Sequence, residues 1–494
     1  MKSQAPVKAT ITLDRCLFVA LLVLVVWLPL PWGSNRFAAE AFLGVMAGGL
    51  CLIYLIGQIF KNDRAAFSPR RYLLPIVLWA LWLSWIFFQT IPLSQSWLMT
   101  LAPSAARYYG SVFPDLAASQ HTWPISLLPE RTKQQLLLSL GYFSLYVLVV
   151  GLARDRGRMK LLGQIIVVSA LAQAIYGGLM TLTGLEYGFF EKKTAYLGFA
   201  TGTFINRNHL AGYLELGAAM AIGLILADLK VADLSTWKKR LVAVLDFLFS
   251  TRLRIRVFLA IIVVGLVLTR SRGGNLAFFS ALIVLGPTYL FFKERKLFLK
   301  SLILFLSLLV VDIWIVSNWY GLEKLTTRIE QTNTETEART YAFKAYPGLI
   351  DEYSRSGSGM GTFAAVFGKN QPDEAQGYYD HAHNDYAEFL IEAGMPGALT
   401  LMLLVGLSCL HAGSVILKRN DRLRVGVCFA FLMATTELAL HSLTDFNLQI
   451  PANAATYVIM MAMAGACSQD RPQRRRNSTD VSKKEEPIIE IVGA

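Results

Sequence analysis

The sequence predicts an all-α polytopic membrane protein, and three observations support this fold class. Of its 494 residues, 54% are hydrophobic and only 16% are charged. The mean hydropathy of +0.45 excludes disordered, collagen-like and ordinary soluble chains. The apolar residues form long runs, and the cationic residues gather between alternate runs. Because the bilayer offers no hydrogen-bond partners to the backbone, such runs are expected to be helices.

Twelve apolar runs are candidates for membrane-spanning helices. A helix crosses the ~30 Å hydrocarbon core with about 20 residues. The first run, which includes Leu17, lacks the small-residue cleavage site of a signal peptide, so we expect it to be retained. The predicted spans are residues 16–32, 37–60, 72–91, 134–153, 161–183, 208–227, 257–269, 274–292, 301–320, 386–417, 425–443 and 452–468.

The positions of lysine and arginine predict the orientation of these spans. With the N-terminus inside, the cytoplasmic segments carry 32 of the 47 cationic residues in 103 residues, and the opposite side carries 15 in 147. This asymmetry places both termini in the cytoplasm. Residues 469–494 are expected to form a disordered basic tail after a transmembrane domain of residues 1–468. We attribute the net charge of +13 to contact with anionic lipid and expect no nucleic-acid partner.

Two long segments are predicted on the opposite, outer side. Residues 92–133 are rich in proline and aromatic residues, a composition typical of a short element lying on the bilayer surface. Residues 321–385 form a longer polar loop between spans nine and ten, which we expect to carry short helices. Long loops in compact proteins are usually functional, so a functional site is expected on the outer face.

A histidine pair closes the long outer loop. Asp385 and Glu388 have the spacing of a capping box, Gly394 suits the end of the short helix that follows, and Pro396 suits the first turn of the next one. His383 then lies just ahead of a helix N-terminus. The positive end of the helix dipole favours a neutral imidazole there, and a neutral imidazole can accept a proton as a general base.

Two other interpretations of this segment stay open. His381, His383 and Asp385 alternate, so an extended backbone would allow them to bind a metal ion from one face. Alternatively, both histidines lie in a hydrated surface loop without a specific role. The five cysteines lie in apolar stretches without metal-binding spacing. The sequence therefore offers no convincing metal site, and no cofactor is expected.

Two arginines near the seventh span are unusual. Only thirteen apolar residues separate Arg256 from Arg270, so either the helix begins in the preceding loop or Arg270 and Arg272 lie below the outer surface. Arginine at membrane depth is tolerated mainly where it serves a polar cavity, and guanidinium matches phosphate geometry. We therefore predict an anion site here, with snorkelling at a helix end as the alternative. Gly273 and Gly274 would permit a tight turn.

Other polar residues of the outer side are candidates for the same site. Arg207 opens the sixth span between Asn206 and Asn208, which are expected to cap the helix or to bind substrate. The alternative for Arg207 is an interfacial anchor. Arg339 lies in the long loop, where its alternative is a surface pair with Glu335.

Two further segments carry less specific chemistry. Gly357-Ser358-Gly359-Met360-Gly361 lacks the lysine and the spacing of a phosphate-binding loop, so it is expected to be a turn. His441, Asp445 and Asn447 end the eleventh span and are expected either to hydrogen-bond the histidine loop or to cap the helix.

Several arginines beside one imidazole base suit group transfer from a lipid-linked phosphate. Guanidinium groups stabilise the charge that grows on a pyrophosphate leaving group, where other enzymes use a divalent ion. His383 would deprotonate an acceptor hydroxyl, whose attack inverts the anomeric centre. A flippase for the same lipid-linked glycan is the non-enzymatic alternative. It would place ionisable groups along a path near the bilayer midplane, whereas here they cluster at one face.

Five motifs within about residues 160–465 are each weak alone. They are His383-Asn384 with Gly394 downstream; Pro347-Gly348 to Gly359-Met360-Gly361-Thr362-Phe363; Gly202-Thr203-Phe204-x-Asn206-x-Asn208-His209; Ser271-Arg272-Gly273-Gly274; and His441-Ser442-Leu443-x-Asp445-Phe446 to Pro451. Taken together, these motifs resemble those of the O-antigen ligase and polymerase superfamily of bacterial envelope glycan assembly.

The resemblance implies a twelve-helix, GT-C-like glycosyltransferase of the bacterial inner membrane whose active site faces the periplasm. It implies metal-independent transfer of a glycan from undecaprenyl pyrophosphate, with His383 as the base and Arg272 and Arg339 on the pyrophosphate. Arg270, Arg207, Asn206, Asn208, Asn384 and His381 are the further substrate-binding candidates. The additional His381 departs from the family pattern and leaves open which imidazole acts.

The acceptor distinguishes the members of this superfamily. A ligase uses the lipid A core, a polymerase of O-antigen or exopolysaccharide uses a second lipid-linked glycan, and the related protein ligases use pilin or another protein. The sequence leaves the acceptor, the sugar and the linkage open.

Overall fold

The computed structural model describes residues 12–61, 72–114, 121–228, 236–237, 251–293, 343–373, 375 and 377–467. Regular secondary structure in these residues is helical, and two isolated bridges, Leu93 with Trp123 and Tyr187 with Lys192, are the β contacts among them. The predicted span 301–320 and the tail 469–494 lie outside the described residues.

Eleven of the described helices coincide with apolar runs that the sequence predicts to span the membrane, and three short helices lie in the two long segments predicted on the outer side. The first group comprises α1 (Leu13–Trp27), α2 (Phe37–Lys61), α3 (Leu73–Phe88), α6 (Pro129–Leu152), α7 (Arg156–Leu182), α8 (Arg207–Ala227), α9 (Thr251–Leu268), α10 (Arg272–Lys293), α12 (Asp385–Lys418), α13 (Arg422–His441) and α14 (Pro451–Ala466). The short helices are α4 (Gln95–Leu101), α5 (Pro103–Val112) and α11 (Phe363–Lys369).

Seven of these helices, α2, α6, α7, α8, α10, α12 and α13, are long and apolar enough to cross a membrane by length and composition. The expectation of an all-helical polytopic membrane protein is therefore confirmed for the described residues, whereas the number of twelve spans stays a prediction. We call the end of the bundle at which α8, α10 and α12 begin and α13 ends the outer end.

The short seventh run is explained by where its helix begins. Helix α9 starts at Thr251, so it includes Arg254 and Arg256 from the preceding loop and reaches 18 residues. Of the two alternatives for this run, an early helix start is therefore correct. Arg270 and Arg272 follow the end of α9 and are both exposed.

Helix α8 lies at the centre of the bundle. In its most apolar part 83% of the residues are buried, whereas the corresponding share is 22% in α2 and α12, which lie at the periphery. Glycines allow α8 to approach α13 closely, because a Cβ atom at Gly223 would lie 2.3 Å from the Gly426 carbonyl oxygen. Small residues at such crossings are typical of helix packing in membranes.

Helix α12 is broken near its start. Gly394 has a left-handed φ of 63°, and Pro396 begins the second, spanning part. The predicted stop at Gly394 is therefore confirmed, but the predicted capping box is wrong. Asn384 is the N-cap, and its Oδ1 accepts from the Ala387 N–H at 3.0 Å. Asp385 is instead buried, where its Oδ2 accepts a hydrogen bond from the Ser442 hydroxyl at 2.5 Å.

The outer segments pack together into a small apolar cluster above the bundle. Helices α4 and α5 contact residues 343–353, which are also helical. The Ser104 hydroxyl donates to the Glu352 carbonyl at 2.7 Å, which joins the two segments. The centre of this cluster is formed by Tyr109, Ile125, Tyr346, Phe363 and Phe367.

The glycine-rich segment 357–361 forms a turn, as predicted. Gly357, Gly359 and Gly361 all have left-handed φ angles. The N–H groups of Gly357 and Gly359 donate to the carbonyls of Tyr353 and Glu392 at 2.8 and 3.0 Å, so they are not available to hold a phosphate. The turn packs directly on the break in α12 and fixes the outer cluster to the bundle.

Candidate active site

Residues 441–445, which begin at the last residue of α13, connect the elements that carry the candidate site. The Asp385 N–H donates to the Ser442 carbonyl at 3.1 Å. The Asn384 side-chain amide donates to the Leu443 carbonyl, also at 3.1 Å. These two contacts hold the segment before α12, with His383, against the end of α13.

His383 occupies a strained backbone position beside a buried carboxylate. Its φ of 47° lies in the left-handed region, which is uncommon for a residue with a side chain and is frequent at functional sites. Its Nδ1 is 3.8 Å from Asp445 Oδ1, and 16% of the side chain is exposed. The Nδ1 atom itself is buried, so the exposed part of the ring lies elsewhere.

Asp445 is shared among several partners. His209 Nε2 lies 3.5 Å from Oδ1, and the Asn208 side-chain amide donates to Oδ2. Burial alone would raise the pKa of Asp445, but its contacts with the imidazoles of His209 and His383 hold that pKa well below its usual range. Asp445 is therefore a carboxylate at neutral pH.

His381 has its own carboxylate partner. Its Nδ1 is 2.6 Å from Glu388 Oε1, and Glu388 Oε2 accepts from the Ala382 N–H at 2.8 Å. Burial alone would lower the pKa of His381, but the Glu388 carboxylate raises it to about 9. His381 therefore carries a positive charge at neutral pH.

Phe446 holds the three imidazoles around one ring. His381 stacks on it with 4.4 Å between ring centroids, and His209 and His383 meet it edge to face at 4.5 and 4.9 Å. Sequence reasoning missed the structural contribution of His209 and Phe446, for which the family motifs were the only signal. For Asp445, the structure supports the prediction that this residue contacts the loop that carries His383.

The three residues that could have formed a metal site diverge in the structure. His381 faces Glu388, His383 faces Asp445, and Asp385 binds Ser442. In the part of the chain that the structure describes, no group of three or more histidine, cysteine or acidic residues is arranged to hold a metal ion.

The turn of residues 270–274, which we call the arginine turn, contacts segment 441–445 from another side. Arg270 has a left-handed φ of 51°, and the Ser271 hydroxyl caps α10 by accepting from the Gly274 N–H at 3.2 Å. Arg272 is the first residue of α10. A Cβ atom at Gly273 would lie 2.7 Å from the Thr444 hydroxyl and 3.0 Å from His441 Cδ2, so the turn contacts this segment directly.

Arg207 joins Arg270 around an aromatic ring. Its guanidinium carbon lies 4.2 Å from the centroid of Phe199, and that of Arg270 lies 5.6 Å from the same ring. Asn206 is the N-cap of α8, with its Oδ1 accepting from the Asn208 N–H at 2.9 Å. The structure thus brings together the predicted residues Arg207, Arg270, Arg272, Asn206, Asn208, His381, His383 and Asn384 at the outer end. Arg339 lies outside the described residues.

An apolar groove of about 630 Å³ opens beside the site. It lies between α3, α6, α12, α13 and α14, with Asp385 and Gln449 at its outer end. Its walls extend to Trp79 and Met461, deeper in the bundle. The groove has the apolar lining expected of a site for a lipid chain.

Comparison with known proteins supports one family. Residues 257–402 match the family model described as O-antigen ligase. No curated protein matches this chain. The matched segment contains both the arginine turn and His383, and an O-antigen ligase domain indicates a glycosyltransferase-type membrane enzyme that acts on lipid-linked glycans. The match confirms the resemblance of this chain to the O-antigen ligase and polymerase superfamily.

Proposed function

We propose that the protein is an inverting, metal-independent glycosyltransferase that moves a glycan from undecaprenyl pyrophosphate to an acceptor hydroxyl at the periplasmic face of the bacterial inner membrane. One observation carries this proposal. His383 and the arginine turn both contact segment 441–445, so a base and cationic groups lie at the same end of the bundle.

His383 is the proposed general base. With Nδ1 turned to Asp445, the Nε2 atom takes the proton of the acceptor hydroxyl as the oxygen attacks the anomeric carbon. The new glycosidic bond forms as the bond between the anomeric carbon and the pyrophosphate oxygen breaks, and undecaprenyl pyrophosphate leaves from the opposite side. The Asp445 carboxylate stabilises the imidazolium that results.

His381 is the less suitable base. With a pKa of about 9 it already carries a proton at neutral pH. Its Nδ1 is also bound to Glu388 at 2.6 Å. We assign it to substrate binding, where its positive charge faces the anionic donor, and we assign Asn384 to holding the segment in place.

The arginines are proposed to bind the pyrophosphate. Arg272, at the N-terminus of α10, offers both a guanidinium and the positive end of a helix dipole. Arg207 and Arg270 are placed around Phe199 at the same end of the bundle, and Arg339 is proposed as a fourth cation. Fixed guanidiniums stabilise the charge that develops on the leaving group.

The groove supports a lipid-linked substrate. It begins at Asp385, two residues after the proposed base, and it is lined by apolar residues of α14 from Ala454 to Met461, which suits an isoprenoid chain. The family match supports lipid-linked glycan and lipid A core as the general substrate classes. We propose one of these two as the acceptor.

Reconstitution in liposomes tests the function. The protein is combined with undecaprenyl pyrophosphate-linked glycan and either lipid A core or a second lipid-linked glycan, and the product is separated and its anomeric configuration read by NMR. We expect transfer with inversion, and the same rate after treatment with EDTA. Movement of the lipid-linked glycan between leaflets without any transfer would replace the enzyme with a flippase, and a pilin acceptor used in preference to both glycolipids would indicate a protein ligase.

A further inference from the structure

A buried pair of ionisable side chains lies below the site and has no part in the steps above. His441 Nδ1, at the end of α13, is 2.9 Å from Glu215 Oε1 in α8, and both side chains are almost completely inaccessible. Ionisable residues inside a membrane domain are costly and are usually functional. A buried pair is also weak evidence for stability, because desolvation offsets the attraction.

The arginine turn rests directly on this pair. A Cβ atom at Gly274 would lie 2.7 Å from Glu215 Oε1 and 2.8 Å from the Ala211 Cβ atom. The same added atom would lie 3.1 Å from the ring of His441. No side chain therefore fits between the start of α10 and the pair, and the position of the turn follows that of Glu215 and His441.

The base is held from the opposite side of the same segment. His441 is followed by Ser442 and Leu443, whose carbonyls accept hydrogen bonds from the backbone of Asp385 and the side chain of Asn384, each at 3.1 Å. Asp445 then faces His383. Segment 441–445 thus contacts the arginine turn on one side and the base on the other.

We propose that the Glu215–His441 pair is a positioning device that fixes the separation between the arginine turn and His383. This proposal rests on the proposed function, because the separation matters only if both groups act on one substrate. Neither residue touches the substrate. The pair anchors segment 441–445 to the central helix α8, and a displacement of about 1 Å in a reacting group lowers rates by up to ~10²-fold.

The glycine contact provides the first test. In Gly274→Ala the added methyl group moves the first turn of α10 away from α8, so we expect geranylgeranyl diphosphate, used as a probe, to bind on the order of tenfold more weakly. Combining it with Ala211→Gly removes the rigid part of the clash and should restore binding. Gly413→Ala is the matched control, because a Cβ atom at Gly413 meets nothing within 4 Å.

The ion pair provides the second test, in which two substitutions of Glu215 are compared. Glu215→Gln keeps a polar oxygen at the position that lies 2.9 Å from His441 Nδ1, so binding of the probe should stay close to the wild-type value. Glu215→Leu loses this oxygen and should weaken binding as Gly274→Ala does. If the glutamine variant were as impaired as the leucine variant, or if the pH profile of transfer shifted without a change in binding, the positioning role would be wrong.

Binding of the diphosphate and glycan transfer are measured separately, so the two proposals fail in different ways. A wild-type protein without transfer activity, but with the expected effects of Gly274→Ala on binding, would overturn only the proposed function. An active wild-type enzyme whose Gly274→Ala variant binds the diphosphate normally would overturn only the positioning role. A wild-type protein that binds no prenyl diphosphate would overturn both.

Discussion

His381 and His383 are two residues apart in the chain, and each imidazole faces a different carboxylate. The two imidazole–carboxylate pairs differ in geometry. His381 and Glu388 form a close pair of 2.6 Å, and Glu388 also accepts a hydrogen bond from the neighbouring Ala382 N–H. His383 and Asp445 are separated by 3.8 Å, and Asp445 also serves His209. Both imidazoles pack on the same ring of Phe446.

Under the proposed mechanism, this difference gives two similar residues opposite roles. A carboxylate committed to one imidazole fixes a proton on that ring, so His381 acts as a permanent cation. A carboxylate shared among several partners stays ionised, and Asp445 lies farther from each of its imidazoles, at 3.5 and 3.8 Å, than Glu388 lies from His381. We therefore assign the role of general base to His383 and not to His381.

The largest expected effect is on turnover, and it should differ between the His383 and His381 variants. In His383→Ala, turnover should fall by about 10²–10⁴-fold because the general base is lost, while geranylgeranyl diphosphate still binds. His381→Ala should lose far less turnover. Transfer rates at saturating donor measure both, with His411→Ala in the spanning part of α12 as a histidine control. A greater loss in the His381 variant would exchange the two roles.

Asp445→Asn should produce the next largest effect. The amide has the same size but no charge, so it no longer stabilises the imidazolium of His383, and we expect turnover to fall on the order of 10²–10³-fold. The measurement is turnover over a range of pH, together with probe binding. Wild-type turnover in this variant would show that Asp445 only supports the fold.

Arg272→Lys tests the anionic side of the site. Lysine keeps the charge but loses the planar fork that binds a phosphate with two hydrogen bonds, so the KM for the donor should rise on the order of tenfold. Arg154→Lys, at the inner end of the bundle where Arg154 binds the Tyr54 hydroxyl at 3.1 Å, is the control. Unchanged KM in the Arg272 variant would leave it as a membrane anchor.

The smallest effect concerns stability and pH. The pKa of His381 is about 9 in the folded protein, above the ~6.5 of an unfolded chain. Its contribution to stability is therefore complete below pH ~6.5 and is lost as the pH rises through about 9. Thermal unfolding of the purified protein between pH 6 and 10 should show this decline in the wild type. In Glu388→Gln the decline should be smaller, and an equal slope would contradict the assigned partner.

The sequence predicted those features that depend on local patterns. The helical class, the break at Gly394, the turn at residues 357–361 and the clustering of polar residues at helix ends all follow from apolar runs and short-range signals. The capping of α12 was predicted one residue too late, because Asp385 and Asn384 are both good caps and only the burial of Asp385 against Ser442 decides between them.

The partners of the imidazoles required the tertiary structure. His209, His383 and Asp445 lie in three distant parts of the chain, and their contacts depend on how α8, α12 and α13 pack. When a helix is buried on most sides, apolar residues occur all around it. The sequence pattern then does not show which face of the helix contacts which neighbouring helix. For the same reason the Glu215–His441 pair could not be assigned from spacing alone.

The break in α12 has a mechanical consequence. The short part that follows His383 is tied to the outer cluster, with the Gln89 side-chain amide donating to the carbonyls of Ser356 and Glu392 at 3.0 and 2.9 Å. The part beyond Pro396 belongs to a helix that is long and apolar enough to cross a membrane, and only 22% of the most apolar part of that helix is buried in the protein. A thicker or thinner bilayer tilts spanning helices, and we expect the break at Gly394 to absorb such tilting. We therefore expect the catalytic geometry to be insulated from changes in membrane thickness.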